Sequence, residues 1–439
     1  MANFKTSEAA ASKKDETKEN TPKVSKGNNH QNVRFVIVSE GQGGASIGSV
    51  LKASLPNSVM IAINTSDQDL DQLDLPDDFK FKIGGESANG AGKNRNKAKE
   101  YFKNFAATNS QDGSKLGAVE TFVGYYEELL FHPTIQTIII VCFSSDGGTG
   151  SGLGPMMVAS LTNYVNSVKS FNYKDNEFFI DDVTNVIPRP VVVGLTPKCA
   201  LSAGATNLQN TIECFLDIQK SIDAGIGHYF IADNNLPEDV QYNSTTEMYR
   251  IINARIATPL IKFLGIEMNS SIKCMDLQDK INTLRISGCS SFVSLTNENI
   301  YQYVEPKGQS VTRTVMMLKD SSNVGDEEKA ADYLIKTLDV SSVDVTPVFF
   351  DLDKVGLKND VPRDLLEVSM IGFFGFRSLN AVVEDLRDNL HRIQVANDKK
   401  KNTIFANSVG FSSIKEDAKN LDSRFGTNVI DQKSVMDLF

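Results

Sequence analysis

Thr137-Ile-Ile-Ile-Val-Cys-Phe143 and Asp146-Gly-Gly-Thr-Gly-Ser-Gly152, separated by two serines, decide how this chain is read. An unbroken run of Ile, Val and Phe reads as a buried strand of the kind found in a parallel sheet. The glycines at 147, 148, 150 and 152 let the backbone turn sharply and come close to a ligand. From Leu153 the apolar residues Met156, Met157, Leu161, Tyr164 and Val165 read as a helix. Strand, glycine turn and helix N-terminus together make an anion site, because backbone N–H groups point at the ligand and the dipole favours negative charge. Thr149 and Ser151 add hydroxyl donors. A nucleotide's phosphates are expected here.

The same unit occurs upstream. Val33-Arg-Phe-Val-Ile-Val-Ser39 reads as a strand running into Gly41-Gln-Gly-Gly-Ala-Ser-Ile-Gly48 and a helix through Val50 and Leu51. Taken alone, this unit could equally open a dinucleotide-binding fold. Val59-Met-Ile-Ala-Ile63 is a further strand, ending in Asn64-Thr-Ser-Asp67. Asp67 sits near the place where that rival fold needs an acid for the ribose. A third glycine-rich loop runs from Gly84 to Lys93 and leads into a polar helix to Phe105. Its Gly92-Lys93 is not a Walker A motif: Ser87 stands where the first glycine belongs, and Asn94 where a hydroxyl must hold Mg²⁺. Pro190-Val-Val-Val-Gly194 and His228-Tyr-Phe-Ile-Ala232 are strands. The alternation over 33–235 predicts an α/β open sheet with ligand sites at the strand C-termini.

From Thr245 a long helical pattern follows through Met248, Ile251, Ile252, Ile256, Leu260 and Leu264, with Pro259 expected to kink it or end its first part. The remainder reads as α+β. Helices are expected over 276–286, 327–338 and from Leu379 to about Ala396. Strands are expected over 290–295, 311–318, 343–352 and 368–376. Lys399-Lys-Lys401 is expected to close the last helix, where cations suit its dipole. The organisation is then a disordered extension over 1–32, a nucleotide-binding domain over 33–243 and a central helix over 244–265. A smaller domain over 266–400 and a flexible tail over 401–439 complete it, and the tail's Val435-Met-Asp-Leu-Phe439 could be a docking peptide.

Composition narrows the class. A chain of 439 residues should hold two domains, and 41% apolar with 23% charged residues is ordinary for a globular protein. A net charge of −10 argues against broad electrostatic binding to nucleic acid. Five scattered cysteines read as reduced thiols, and four separated histidines offer no metal-ligand spacing. No apolar run is long enough to span a bilayer and no signal-peptide core is evident, so a cytoplasmic location is expected. Residues 1–32 are polar and almost lack large apolar groups, hence the expected disorder.

Taken in order, these loops resemble those of the tubulin and FtsZ superfamily. Gly41, Gln42, Gly43, Gly44 and Ser46 fall in what resembles its first nucleotide loop. Asn64 and Asp67 resemble the second, with Asp67 as the implied Mg²⁺ ligand, and Gly90, Ala91 and Gly92 resemble the third, which senses the γ-phosphate. Gly147, Gly148, Thr149, Gly150, Ser151 and Gly152 resemble the main phosphate loop. Asn234 and the helix bearing Tyr249 and Asn253 resemble the guanine clamp. Tyr249 and Asn253 are four apart, on one helix face, so a stacking ring and an edge-reading amide can act together. Asp276 and Asp279 resemble the catalytic acidic loop, although as residues alone they simply suit a helix N-terminus. The likeness covers about 33–400 and is nearest to the TubZ-type tubulins of bacterial plasmids and phages.

This resemblance implies a tubulin-like fold: a parallel-sheet nucleotide-binding domain, a long central helix and a smaller α+β domain. It implies GTP and GDP as ligands with Mg²⁺, and a GTPase completed when Asp276 and Asp279 of one subunit meet the nucleotide of the next in a head-to-tail filament. Such a filament would segregate plasmid DNA or position phage particles, with a DNA-bound adaptor or phage cargo docking on the C-terminal tail. Neither sequence-specific nucleic-acid binding nor membrane binding is expected. The chain departs from the family pattern at Asp146, where many members have a small residue, and at Cys274, where FtsZ has Asn. Leu201-Ser-Ala-Gly-Ala-Thr206 also lacks the Glu and Arg of the FtsZ ribose loop. Two rival readings remain: a non-polymerising GTP switch on the same fold, and a Rossmann-type oxidoreductase, for which no hydride-transfer constellation is evident.

Overall fold

The β-branched runs become strands of one large sheet. In the computed structural model, which describes residues 33–85, 88–108, 117–180, 187–200, 202–235, 241–265, 275–294, 303–306, 308–319, 345–350 and 368–418, the strands fall in this chain order. They are β1 (Val33–Glu40), β2 (Ser58–Asn64), β3 (Lys80–Lys82), β4 (Gln136–Phe143), β5 (Ser170–Tyr173) and β6 (Asn176–Phe179). Then come β7 (Val191–Lys198), β8 (His228–Asp233), β9 (Gly288–Ser294), β10 (Arg313–Lys319), β11 (Val345–Phe350) and β12 (Met370–Phe376). The helices are α1 (Gly41–Ser54), α2 (Asp67–Asp71), α3 (Arg95–Thr108), α4 (Ala118–Leu130), α5 (Thr149–Ser167), α6 (Ala205–Asp223), α7 (Thr245–Gly265), α8 (Leu277–Leu284) and α9 (Asn380–Ala418). The helix expected over 327–338, the extension over 1–32, Cys274 and the stretch 435–439 lie outside the described residues.

The sheet order is β11-β10-β12-β9-β8-β7-β4-β1-β2-β3, with β5 and β6 forming a separate hairpin. From β3 across to β9 neighbouring strands run parallel, while β12 is antiparallel to both β9 and β10. Every residue of β4 is buried, as expected for a central parallel strand covered on both sides. Alternation along the strands divides two cores. Val36, Val38, Ile139 and Val141 face α3, α4, α5, α6 and α9, whereas Phe35, Ile37, Ile138 and Ile140 face α1, α7 and α8. The order β3-β2-β1-β4-β7-β8 reverses direction of growth between β1 and β4, and a crevice for ligands opens outside the strand C-termini at such a switch point. Both main glycine-rich loops leave the sheet there.

Two sequence expectations need correction. Pro259 neither ends nor divides α7, which runs unbroken from Thr245 to Gly265. Residues from Ile256 to Gly265 are all buried, and Thr258 donates its hydroxyl to Ala254 O at 2.6 Å, so burial of this stretch outweighs a missing N–H donor. The last helix does not stop at Ala396 or at the lysines, and the chain remains helical from 401 to Ala418, where a tail was expected. Lys399–Lys401 lie within it, in a segment with neither proline nor a glycine to halt it before Gly410.

Two buried titratable groups make stability depend on pH in opposite senses. His228, at the start of β8, packs against Phe230 and donates through Nδ1 to Ile286 O at 2.7 Å. Burial pushes its pKa down to about 4, against the smaller upward pull of that bond. Its contribution is therefore complete above an unfolded value of about 6.5 and is lost as pH falls through the folded value, amounting to about 3 kcal/mol. Glu40, at the end of β1, is fully buried with neither carboxylate oxygen hydrogen-bonded, and burial holds its carboxyl well above the usual range. Its contribution is complete below an unfolded value of about 4.3 and is lost as pH rises. Urea melts across pH should show the acid-side loss flattened in His228→Phe. In Glu40→Gln the alkaline-side loss should shrink, so that the variant gains on the parent as pH rises.

Candidate nucleotide-binding site

A cavity of about 640 Å³ opens at the C-terminal ends of the central strands. The helices α1 and α5 both begin at it, with Gly41 and Thr149 as their first residues. Neither helix has a side-chain cap, and neither has an acidic residue in its first turn. Their orphan N–H groups and dipoles are thus left for an anion. Gly41 has a φ of +67°, a left-handed backbone that suits glycine. A Cβ on Gly150 would lie 2.8 Å from Glu40 O, and one on Gly44 would lie 2.3 Å from Cys142 O. The two loops therefore pack backbone against backbone.

Most of the expected ligand residues meet at this cavity. Gly41, Gln42, Gly43 and Ser46 line it from the first loop, and Asn64 from the second. Gly90, Ala91 and Gly92 line it from the third, and Gly147, Gly148, Thr149 and Gly150 from the fourth. Asn234 after β8 and Tyr249 and Asn253 from α7 complete the wall on the α7 side. Tyr249 is 54% exposed, so its ring face is open to a ligand rather than used in packing. Gly90 N–H donates to Thr65 O at 2.9 Å and the Thr65 and Thr149 hydroxyls bond at 3.0 Å, which ties the second and third loops to the start of α5.

Other expected residues support the cavity without lining it. Gly44 is buried beneath the Cys142 carbonyl, Ser151 donates its hydroxyl to Gly147 O, and Gly152 lies against Arg95 O. Asp67 is not a lining residue: it opens α2 and pairs with Lys82 on β3. Asp69, about 200° further round the helix, lines the cavity instead and accepts from Asn64 Nδ2 at 3.2 Å. Mg²⁺ commonly keeps several waters and takes one or two carboxylates beside phosphate oxygens. Asp69 with the hydroxyls of Thr65 and Thr149 fits that sparse donor set, and no group of three or more His, Cys, Asp or Glu placed to hold a metal occurs among the described residues.

Asp276 and Asp279 are far from the cavity of their own chain. The α8 helix they begin is joined to the distal end of α7, where Lys280 Nζ donates to Leu264 O at 3.2 Å. Leu264 lies eleven residues beyond Asn253, roughly 17 Å along the helix axis. Asp276 also caps α8, its Oδ1 accepting from Asp279 N–H at 2.8 Å.

Three lining residues have no ligand role in the sequence reading, where Asp146 stands only as a departure from the family pattern, Lys93 only in a rejected Walker A motif and Asn207 not at all. Asp146, Lys93 and Asn207 form a chain: Lys93 Nζ donates to Asn207 Oδ1 at 2.8 Å, and Asn207 Nδ2 donates to Asp146 Oδ2 at 2.9 Å. Asn210, one turn further along α6, donates to the carbonyls of Lys93, Asp146 and Gly147 at 3.0, 3.2 and 3.1 Å. The pair Asn207 and Asn210 at helical spacing is the one local signal of this brace. Behind it Arg95, 5% exposed, donates twice to Ser151 O and pairs with Glu213 at 2.9 Å and Asp217 at 2.7 Å.

Compared by sequence, the chain matches no protein-family model and no curated protein. Compared by structure, it is similar to TubZ of Clostridium botulinum phage c-st at 15% identity and a TM-score of 0.57, over 84% of this chain and 99% of that one. It is similar to Bacillus thuringiensis serovar israelensis TubZ in a GTPγS-form protofilament at 11% identity and a TM-score of 0.59, over 85% and 96%. A third similar structure is GDP-bound CetZ1 from Haloferax volcanii, at 15% identity and a TM-score of 0.54, over 82% and 99%. With the central α7, the mixed sheet beyond β8 and the loops at the strand ends, the chain has the fold of the tubulin/FtsZ superfamily.

Proposed function

We propose that the protein is a GTPase that assembles head to tail into filaments and completes its hydrolytic site at each junction between subunits. One observation carries this reading: a single cavity unites two uncapped helix N-termini with Asn234, Tyr249 and Asn253, while the acidic pair begins α8 at the other end of α7. Similar structures in a GTPγS-form protofilament and a GDP-bound monomer support it.

The guanine stacks on the open ring of Tyr249, and the amides of Asn234 and Asn253 read its edge. The phosphates lie on the N–H groups that begin α1 and α5. Mg²⁺, when bound through Asp69 and the nearby hydroxyls, neutralises phosphate charge. Asp276 and Asp279 of the adjoining subunit orient the attacking water, a contribution of position and electrostatics. A contact of this kind is heterologous and does not close, so it propagates as a filament. The filament moves plasmid DNA or positions phage particles through an adaptor or cargo docked on its C-terminal region.

Pelleting and phosphate release test this reading together. GTP and GTPγS should both drive sedimentation, and turnover per molecule should rise with protein concentration. Asp276→Asn keeps an oxygen to cap α8. It should leave assembly intact and slow phosphate release by about a hundredfold or more. Equal turnover per molecule in dilute and concentrated samples, or no assembly with GTPγS, would defeat the proposal.

A further inference from the structure

A second cavity, of about 170 Å³, opens at the edge of the sheet opposite the nucleotide site, at the N-terminal ends of the parallel strands β7 and β8. His228 lines this cavity yet is only 2% exposed, so it forms the floor. Its Nδ1 lies 2.7 Å from Ile286 O, and a carbonyl only accepts, so Nδ1 carries the proton of the ring. Nε2 is left with a lone pair, buried and without a hydrogen-bond partner. Ser287, also on the lining, has a buried Oγ with no partner. Each of these groups carries a desolvation cost that a ligand with matching polarity removes. The charge of the wall is one-sided as well: Arg285 lines the cavity, and among the described residues no acidic side chain does. Arg285 Nη2 donates to Arg189 O at 3.3 Å, which holds the guanidinium beside the start of β7. Partial burial, then the nearby charge of Arg189, lower the pKa of Arg285 from its usual value, and an anion relieves both.

These groups select among anions. Nε2 needs a donor, Arg285 offers N–H groups to acceptors, and the Ser287 hydroxyl serves either way. An oxyanion that still carries a proton answers all three. Sulfate has none near neutral pH, and a phosphate monoester loses its last with a pKa of about 6. Bicarbonate keeps a proton but brings a single negative charge to the pair Arg189 and Arg285. Inorganic hydrogenphosphate keeps one and brings two. A water takes about 30 Å³ in the liquid, so the volume has room for a tetrahedral oxyanion. We propose that this cavity is a hydrogenphosphate site, in which the P–OH group donates to His228 Nε2 and the other oxygens accept from Ser287 Oγ and the Arg285 guanidinium. Leu284 ends α8 and Arg285 caps it, so the bound anion ties the end of that helix to the start of β8. Nothing in this assignment depends on what the nucleotide cavity binds.

Titration calorimetry of the full chain at about pH 8, where a monoester has lost its last proton, tests it, with GDP in excess to fill the nucleotide cavity. Hydrogenphosphate should bind, and sulfate, methyl phosphate and bicarbonate should each bind at least about tenfold more weakly. Arg285→Gln should weaken hydrogenphosphate about tenfold. His228→Phe keeps a ring and removes the acceptor, so its preference for hydrogenphosphate over sulfate should fall below about twofold. Should that variant fail to fold, the four anions on the parent and Arg285→Gln decide the matter. Equal affinity of the parent for hydrogenphosphate and sulfate, or tighter binding of methyl phosphate or bicarbonate, would overturn the proposal. Binding that survives Arg285→Gln unchanged belongs elsewhere on the molecule and would overturn it too. So would a parent that binds none of the four, since the cavity then holds water only.

Discussion

At the ends of β1 and β4 two stretches of backbone lie too close for any side chain to fit between them. Gly150 sits against Glu40 O and Gly44 against Cys142 O, so the loops that follow these adjacent strands share one contact. That contact makes the first N–H groups of α1 and α5 converge on one volume. A single helix N-terminus binds anions weakly and without direction; two that meet at the switch point of a parallel sheet define a place and an approach. The remainder of the site is arranged around that convergence.

Holding the loops in place requires support from behind. Arg95 fixes Ser151 O and pairs with Glu213 and Asp217, so the starts of α3 and α5 and the middle of α6 are tied at one guanidinium. Burial alone would raise the Asp217 carboxyl, but Lys99, then Arg95, outweigh it and hold it below its usual range. On the cavity side Asn207 and Asn210 secure the Asp146 loop by neutral amides. The hydrogen bond from the Asn207 amide gives the Asp146 carboxylate a fixed partner at the cavity wall.

The long α7 helix sets the distance between the two ends of the molecule. Its first half is partly open, carrying Tyr249 and Asn253 into the cavity, while its second half is buried from Ile256 onward. The acidic pair on α8 follows that buried half. One helix therefore holds the cavity wall and the carboxylates apart, and the proposed completion of the site by a second copy of the chain rests on that separation.

The central strands and the glycine loops were legible in the amino-acid sequence because both follow local rules. Unbroken β-branched runs such as 137–143 have to be buried on two faces, and Gly41 answers to the left-handed φ of its own turn, whereas the backbone that limits Gly44 and Gly150 belongs to the other loop. The α4 and α6 helices and the β5–β6 hairpin were not read, since their apolar residues are interleaved with polar ones and acquire meaning only against the sheet. Pro259 misled for a related reason: the local cost of a proline is outweighed by burial that its neighbours in the chain do not reveal. Which side chains line the cavity was settled by tertiary structure alone. Asp69 faces the cavity and Asp67 does not because of an angle around α2, and Lys93 finds Asn207 across 114 residues of chain. Local sterics and burial select the strands and turns, but a contact between distant segments exists only once the sheet has brought them together.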